Sequence, residues 1–249
     1  MGYHVSVFER SREPGGMLRA IPEYRLPQAV REREIQRVLA TGIRLFLESN
    51  VDPHELPVLL KEFNAVFWAT GASVSRKLHI PGEDDSAVST GLEFLFKVKV
   101  KPERLAGKRV VIIGGGNTAV DAARSAVRLG AHATIIYRRT RAEMPALQTE
   151  IHEAEEEGID FLFLAAPRHI VMQDGRVRGV MCVRNQLGEP GPDGRQVPEP
   201  IAGSEFSLDA DTIVVAAGEE AKVGSLPEEA VDPRGIVRVN AWNATTLDG

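Results

Sequence analysis

The sequence has a single cysteine, Cys182, among 249 residues. One thiol excludes an internal disulfide, a CxxC redox pair and a cysteine-ligated iron–sulfur cluster built from this chain alone. Long apolar runs are missing too, since no stretch approaches the roughly 18 apolar residues that a spanning helix needs. Met1-Gly2-Tyr3-His4 lacks the charged and apolar regions of a signal peptide, so a reducing, cytoplasmic setting is expected. Neither charge dominates: 30 Lys and Arg stand against 35 Asp and Glu, which gives no general pull toward nucleic acid or anionic lipid. The sequence also has no solenoid repeats, low-complexity tracts or Ser-His-Asp nucleophile signature.

What the chain does have is alternation of strand and helix patterns. Residues 4–8 read as a strand with Val5 and Val7 inward, ending at Glu9. Residues 27–40 read as a helix with an apolar face of Val30, Ile35, Val38 and Leu39, stopped by Gly42. A short strand at 43–47, a short helix capped by Asp52 and a strand at 65–70 follow, with Phe67 and Trp68 in the core. The turn-rich stretch 73–85 connects to a second unit. There the strand Arg109–Ile113 runs into Gly114-Gly115-Gly116, a helix at 117–129 stopped by Gly130, and a strand at 134–137. Pro145 starts a helix that ends at Gly158. Strands at 159–164, 169–173 and 177–183 come next, the last two flanking the turn Asp174-Gly175. A Pro/Gly-rich loop at 188–194 precedes late strands at 206–208 and 212–216. The pattern predicts an α/β chain of two Rossmann-like units, each a mostly parallel sheet with helices on both faces.

The glycine loop has its full context of strand, Gly114-x-Gly116-x-x-Ala119 and alanine-rich helix. Gly114 permits the tight turn, Gly116 lets backbone approach a pyrophosphate, and Ala119 lets the helix pack close to the strand. The helix start at Asn117 and Thr118 offers N–H groups and a positive dipole end to phosphate. An NAD unit usually ends its second strand with an acid that takes the ribose 2′-hydroxyl. Here the strand runs into Tyr137-Arg138-Arg139-Thr140-Arg141. Guanidinium groups pair bidentately with a 2′-phosphate that a carboxylate would repel. Arg138 and Arg139 therefore point to NADP(H).

Other residues carry blander readings. Cys182 lies in Val180-Met181-Cys182-Val183 and reads as a buried structural thiol. His152 sits among Glu150, Glu153 and Glu155-Glu156-Glu157, a solvated acidic face rather than a metal site.

Three further stretches add to the glycine loop: Pro14-Gly15-Gly16-Met17-Leu18, Ile21-Pro22-Glu23-Tyr24-Arg25-Leu26-Pro27 and Phe67-Trp68-Ala69-Thr70-Gly71. With 114–121 and 137–145, they resemble the FAD/NADPH-binding small subunit of glutamate synthase and the electron-input region of dihydropyrimidine dehydrogenase. The resemblance implies a flavoprotein of the glutathione- and thioredoxin-reductase type, with an NADP-binding domain (91–217) inserted into an FAD-binding domain (1–90, returning at 218–249). By it, Glu9 holds the adenosine ribose of FAD, Gly16, Leu18 and Arg25 lie along the flavin cofactor, and Val51 meets its adenine. Ala69-Thr70-Gly71 and Ala216-Ala217-Gly218 form the crossovers near the cofactors. Gly116, Asn117, Thr118, Ala119, Arg138 and Arg139 take NADPH.

The family's flavin domain begins with a strand and glycine loop for which three residues leave no room, and a further strand would follow Thr246-Leu247-Asp248-Gly249. The chain is thus expected to be an internal fragment whose FAD unit is incomplete at both ends and needs the rest to hold FAD. The implied function is NADPH-dependent flavin reduction, with electrons passing to an iron–sulfur partner such as the glutamate synthase large subunit. A non-catalytic NADP-binding sensor or scaffold is the alternative, and a disulfide reductase is opposed by the lack of CxxC.

Overall fold

The structure, a computed structural model, describes residues 2–192, 194–221, 226–232 and 236–245. Thr246-Leu247-Asp248-Gly249 lie outside them. The chain divides into two compact units, 1–74 with 220–249, and 75–219.

The first unit contains β1 (Ser6–Phe8), α1 (Gln28–Leu39), β2 (Arg44–Phe46) and α2 (Leu56–Glu62). Strands β1 and β2 pair in parallel, and the register sets Phe8 opposite Phe46 with rings stacked at 5.1 Å. Buried apolar side chains are scarce: Ala20, Pro22, Leu56 and Ala230 are those among its described residues. Several expectations fail here for that reason. Val5 and Val7 are 44% and 40% exposed, Val38 is 56% exposed and Phe67 is 85% exposed. The strand expected at 65–70 does not form, because a β-propensity run becomes a strand only beside a hydrogen-bonding neighbour. Pairing starts later, at β3 (Ala72–Ser75).

The second unit contains β4 (Val88–Thr90), α3 (Gly91–Val100), β5 (Arg109–Ile113), α4 (Asn117–Arg128), β6 (His132–Tyr137), α5 (Gln148–Glu156) and β7 (Asp160–Phe163). β8 (Ala165–Gln173), β9 (Arg176–Pro190), β10 (Gln196–Pro200), β11 (Phe206–Asp209) and β12 (Thr212–Val215) complete it. β13 (Glu219–Ala221) pairs with β3 where the chain passes between the units. The boundary therefore falls after Val74 rather than at 90, because β4 is hydrogen-bonded to β12 inside the second unit's own sheet.

That sheet is parallel throughout, in the order β4-β12-β5-β6-β7. Alternation of side chains along β5 divides the core. Val110 and Ile112 face Ala119, Val120, Ala123 and Ile151 of α4 and α5, whereas Val111 and Ile113 face Val180 and Cys182 of β9. The second face is thus covered by an antiparallel sheet of β8–β11, not by helices as the alternation predicts. β9 is long enough to carry β8, β10 and β11, and part of the expected 188–194 loop is strand. Each fully buried Val or Ile contributes about 1.5–3 kcal/mol, so the four buried residues of β5 are a large share of the core they divide. Burial lifts the Cys182 thiol to about 11, which keeps it protonated and inert.

Helix α5 begins at Gln148, not Pro145. A single 3-10 turn at Arg141–Glu143 comes first, closed by a capping box between Thr140 and Glu143. An ion network ties α5 to α4. Arg124, 4% exposed, reaches Glu150 at 2.5 Å, Glu153 at 2.7 Å and Glu157 at 2.8 Å, and Arg128 reaches Glu157 at 2.7 Å. Removing Arg124 takes this guanidinium from Glu150, 15% exposed, while Glu157 keeps Arg128 and Glu153 stands half in water, so Arg124→Met is expected to cost about 1–3 kcal/mol in urea denaturation at neutral pH. Burial pushes the Glu157 carboxyl up, but hydrogen bonds from Arg128 and Arg124 outweigh it and hold the group below its ordinary 4.5. A lowered native value stabilises fully above the ordinary one and is lost as pH falls through the native one. The stability gap between wild type and Glu157→Gln is therefore expected to close below pH 4.5. A gap as wide in acid as at neutrality would contradict the network.

Candidate functional site

Three strand ends meet at the carboxyl edge of the parallel sheet. The amide of Gly114 donates to the Ile136 carbonyl (3.0 Å), and the amide of Ala216 donates to the Ile113 carbonyl (2.8 Å). These bonds bring Gly114, Gly116, Asn117, Thr118 and Ala119 together with the end of β6 and with Ala216-Ala217-Gly218. In an open α/β sheet this edge is where ligands bind.

Each glycine answers to a different neighbour. Gly114 has φ +151°, and a Cβ there would overlap the Ala216 carbonyl. A Cβ on Gly115 would overlap the ring of Tyr137, whose hydroxyl donates to the Glu143 carbonyl at 2.8 Å. Gly116 is different, since a Cβ there would meet nothing within 4 Å. It is the position open to a ligand.

Helix α4 starts at Asn117 with no side-chain cap, whereas α3 is closed by a Thr90–Glu93 capping box. The Ala119 amide donates to the Gly116 carbonyl at 3.0 Å, which leaves the amides of Asn117 and Thr118 for an outside acceptor. The Asn117 side chain does not serve them. Its Oδ1 accepts from the Leu147 amide at 3.0 Å and, with the Ala146 amide on the Gly115 carbonyl at 3.2 Å, pins 144–147 to the loop. Ala119 is fully buried against the sheet. An open glycine and a bare helix start fit a dinucleotide pyrophosphate.

The two arginines part ways. Arg138 is exposed. Arg139 is 5% exposed, its Nε donates to the Gln196 carbonyl at 2.7 Å, and it pairs with Glu143 at 3.9 Å. The expected joint clasp of a phosphate is therefore not what this geometry presents, because in the bend after β6 the Arg139 guanidinium is taken up by the Gln196 carbonyl while Arg138 stays exposed. Arg141 is paired with Glu155. Gly115, Tyr137 and Gln196 were outside the sequence expectation; only the run of three glycines hinted at the first.

The remaining expected residues lie in the first unit. Glu9 closes its own turn, with Oε1 accepting from the Ser11 amide at 2.8 Å. Gly16 has φ +50° in an open turn, and Leu18 is 47% exposed. Arg25 and Val51 are half-buried, and Ala69, Thr70 and Gly71 are exposed. An open turn beside an exposed side chain fits a cofactor edge, while one oxygen of Glu9 is already engaged. Ala217, in the second unit, is exposed, and the Gly218 carbonyl accepts from the Arg76 amide at 2.9 Å. Among the described residues no helix is long and apolar enough to cross a membrane, and no cluster of His, Cys, Asp and Glu is arranged to hold a metal.

The NADP(+)-dependent formate dehydrogenase subunit beta of Moorella thermoacetica is 40% identical over 100% of this chain and 36% of its own length. The glutamate synthase [NADPH] small chain of Azospirillum brasilense is 35% identical over 99% of this chain and 53% of its own. The chain thus spans about half or less of these relatives. The thioredoxin reductase of T. acidophilum shares the fold, with a TM-score of 0.71 at 17% identity over 100% of this chain and 80% of that one. The family profile for pyridine nucleotide-disulphide oxidoreductases matches residues 2–249, and the chain belongs to that family.

Proposed function

We propose that this chain is the nucleotide-handling part of an NADPH-dependent flavin oxidoreductase. NADPH lies over Gly114-Gly115-Gly116 and the start of α4, with its 2′-phosphate at Arg138. FAD belongs to the first unit, along Gly16, Leu18 and Arg25, with Glu9 at its ribose and Val51 at its adenine. Ala69-Thr70-Gly71 and Ala217-Gly218 supply small residues at the crossovers. The single observation that carries the reading is the open Gly116 under an uncapped helix, beside a strand that an exposed arginine directly follows.

Bound together, the cofactors supply the redox chemistry, a hydride passing from nicotinamide to flavin. The protein's task is alignment, which needs no general base from this chain. The amides of α4 neutralise the pyrophosphate, Arg138 selects the phosphorylated ribose, and the pinned 144–147 segment holds the loop in shape. Onward, electrons leave through an iron–sulfur partner in the longer protein or its assembly. Support for that step comes from relatives named for quite different reactions, glutamate synthesis and formate oxidation, around one shared region. Formate oxidation delivers electrons to NADP(+) and glutamate synthesis draws them from NADPH, and one shared region under both is what a module exchanging electrons with the nicotinamide requires.

The test is anaerobic titration of the full-length protein. NADPH is expected to bleach a bound flavin's visible absorbance stoichiometrically, and NADH to do so only at much higher concentration. A colourless protein that still binds NADPH would instead establish a sensor or scaffold.

A further inference from the structure

The end of β6 is bracketed by two residues that the cofactor contacts above do not use, Leu164 and Asn185. The Nδ2 of Asn185 donates to the Arg138 carbonyl at 3.0 Å. The Leu164 amide donates to the next carbonyl, that of Arg139, at 3.0 Å, and the Asn185 amide donates to the Leu164 carbonyl at 2.7 Å. Consecutive carbonyls are therefore each held by a donor, and the two donors are tied to each other. Leu164 sits at φ +52°, in the left-handed region that leucine adopts only where its surroundings demand it.

Asn185 is 5% exposed, and its Oδ1 has no partner among the described residues. Its amide orientation is fixed by the Arg138 carbonyl, which a flipped Oδ1 would repel. A buried polar side chain that leaves one of its own atoms unpaired in order to hold one carbonyl is costly as mere packing. What it holds is the peptide between the two arginines. That plane sets Arg138 outward and Arg139 inward toward Gln196.

We infer that Asn185 is a positioning residue that sets 2′-phosphate selectivity through Arg138. This rests on the reading that NADPH binds at this strand end. Bidentate pairing of guanidinium with phosphate depends on a pre-aimed fork, and a peptide free to rotate gives that up. A nucleotide without the 2′-phosphate needs no such aim.

Calorimetry on the full-length protein with 2′,5′-ADP and ADP separates the cases. Asn185→Leu matches the side chain's size and removes the unpaired oxygen together with the donor. It is expected to weaken 2′,5′-ADP about tenfold and ADP less than about twofold. Should Asn185→Leu fail to fold, Asn185→Ala is read the same way. Equal weakening of both probes, or undiminished binding of 2′,5′-ADP, overturns the inference. If Arg138→Ala erases the preference while Asn185→Leu leaves it intact, the inference falls and the NADPH reading stands. A wild-type protein that binds both probes alike overturns the two together.

Discussion

Replacing Gly116 by valine is expected to leave the protein folded and roughly a hundredfold weaker for NADPH, whereas replacing Gly114 by alanine is expected to unfold the second unit. The two positions are two residues apart in one loop, and their backbones explain the difference. Gly116 has φ −88° and ψ 176°, extended backbone that any residue adopts, and a side chain there would project into open space. A valine costs about 1 kcal/mol as a poor helix cap, worth no more than about 4 °C in Tm for a unit of this size. It would, however, stand where a pyrophosphate has to approach backbone. Overpacking of that kind costs up to about 3 kcal/mol, or roughly a hundredfold in NADPH affinity. Gly114 has φ +151°, and any Cβ would overlap the Ala216 carbonyl, which belongs to the neighbouring strand's end and cannot yield without breaking the sheet. Its loss is expected in the range above about 4 kcal/mol that single changes rarely reach. Thermal melts and calorimetry read the two effects separately. Wild-type affinity in Gly116→Val would place the nucleotide elsewhere.

The contrast also marks where sequence reading stops. The unit from Arg109 to Tyr137 was legible because each signal is local. An apolar run, three glycines, an alanine-rich helix and a second apolar run follow one another within one βαβ step. The sequence assigns Gly114 to turn geometry, and its closest neighbour is Ala216, some hundred positions on at the end of the adjacent strand. Such a contact has no local signature. The same holds for Gly115 against Tyr137 and for the bracket at Leu164 and Asn185. The antiparallel sheet over the second face escaped for another reason: its strands read as strands, but nothing in period-2 alternation says whether a strand joins the main sheet or lies over it. In the first unit the failures share a cause. Val5, Val7, Val38 and Phe67 have the composition of core positions, and burial depends on what covers them rather than on what they are.

The pair of arginines, which the sequence presents as equivalent, is expected to split under mutation. Arg138→Ala should raise the NADPH dissociation constant about thirtyfold, the worth of one charge-assisted bidentate contact, while NADH changes less than about twofold. Arg139→Ala should instead lower stability. Its guanidinium is 6% exposed and serves Glu143 and the Gln196 carbonyl, so truncation leaves that carbonyl without this donor and Glu143 with its Thr140 contacts alone, at about 1–3 kcal/mol. Any loss of affinity in that variant should fall on NADPH and NADH alike, because the damage is to the strand end that carries the site. Arg138→Lys sharpens the distinction, since it keeps the charge and loses the planar fork. Partial retention of NADPH preference there would show that charge attracts the phosphate, and its complete loss would show that geometry does. If Arg139→Ala proved the more selective of the two variants, the buried guanidinium would have to swing out on binding, and the exposed one would be a bystander at the strand end.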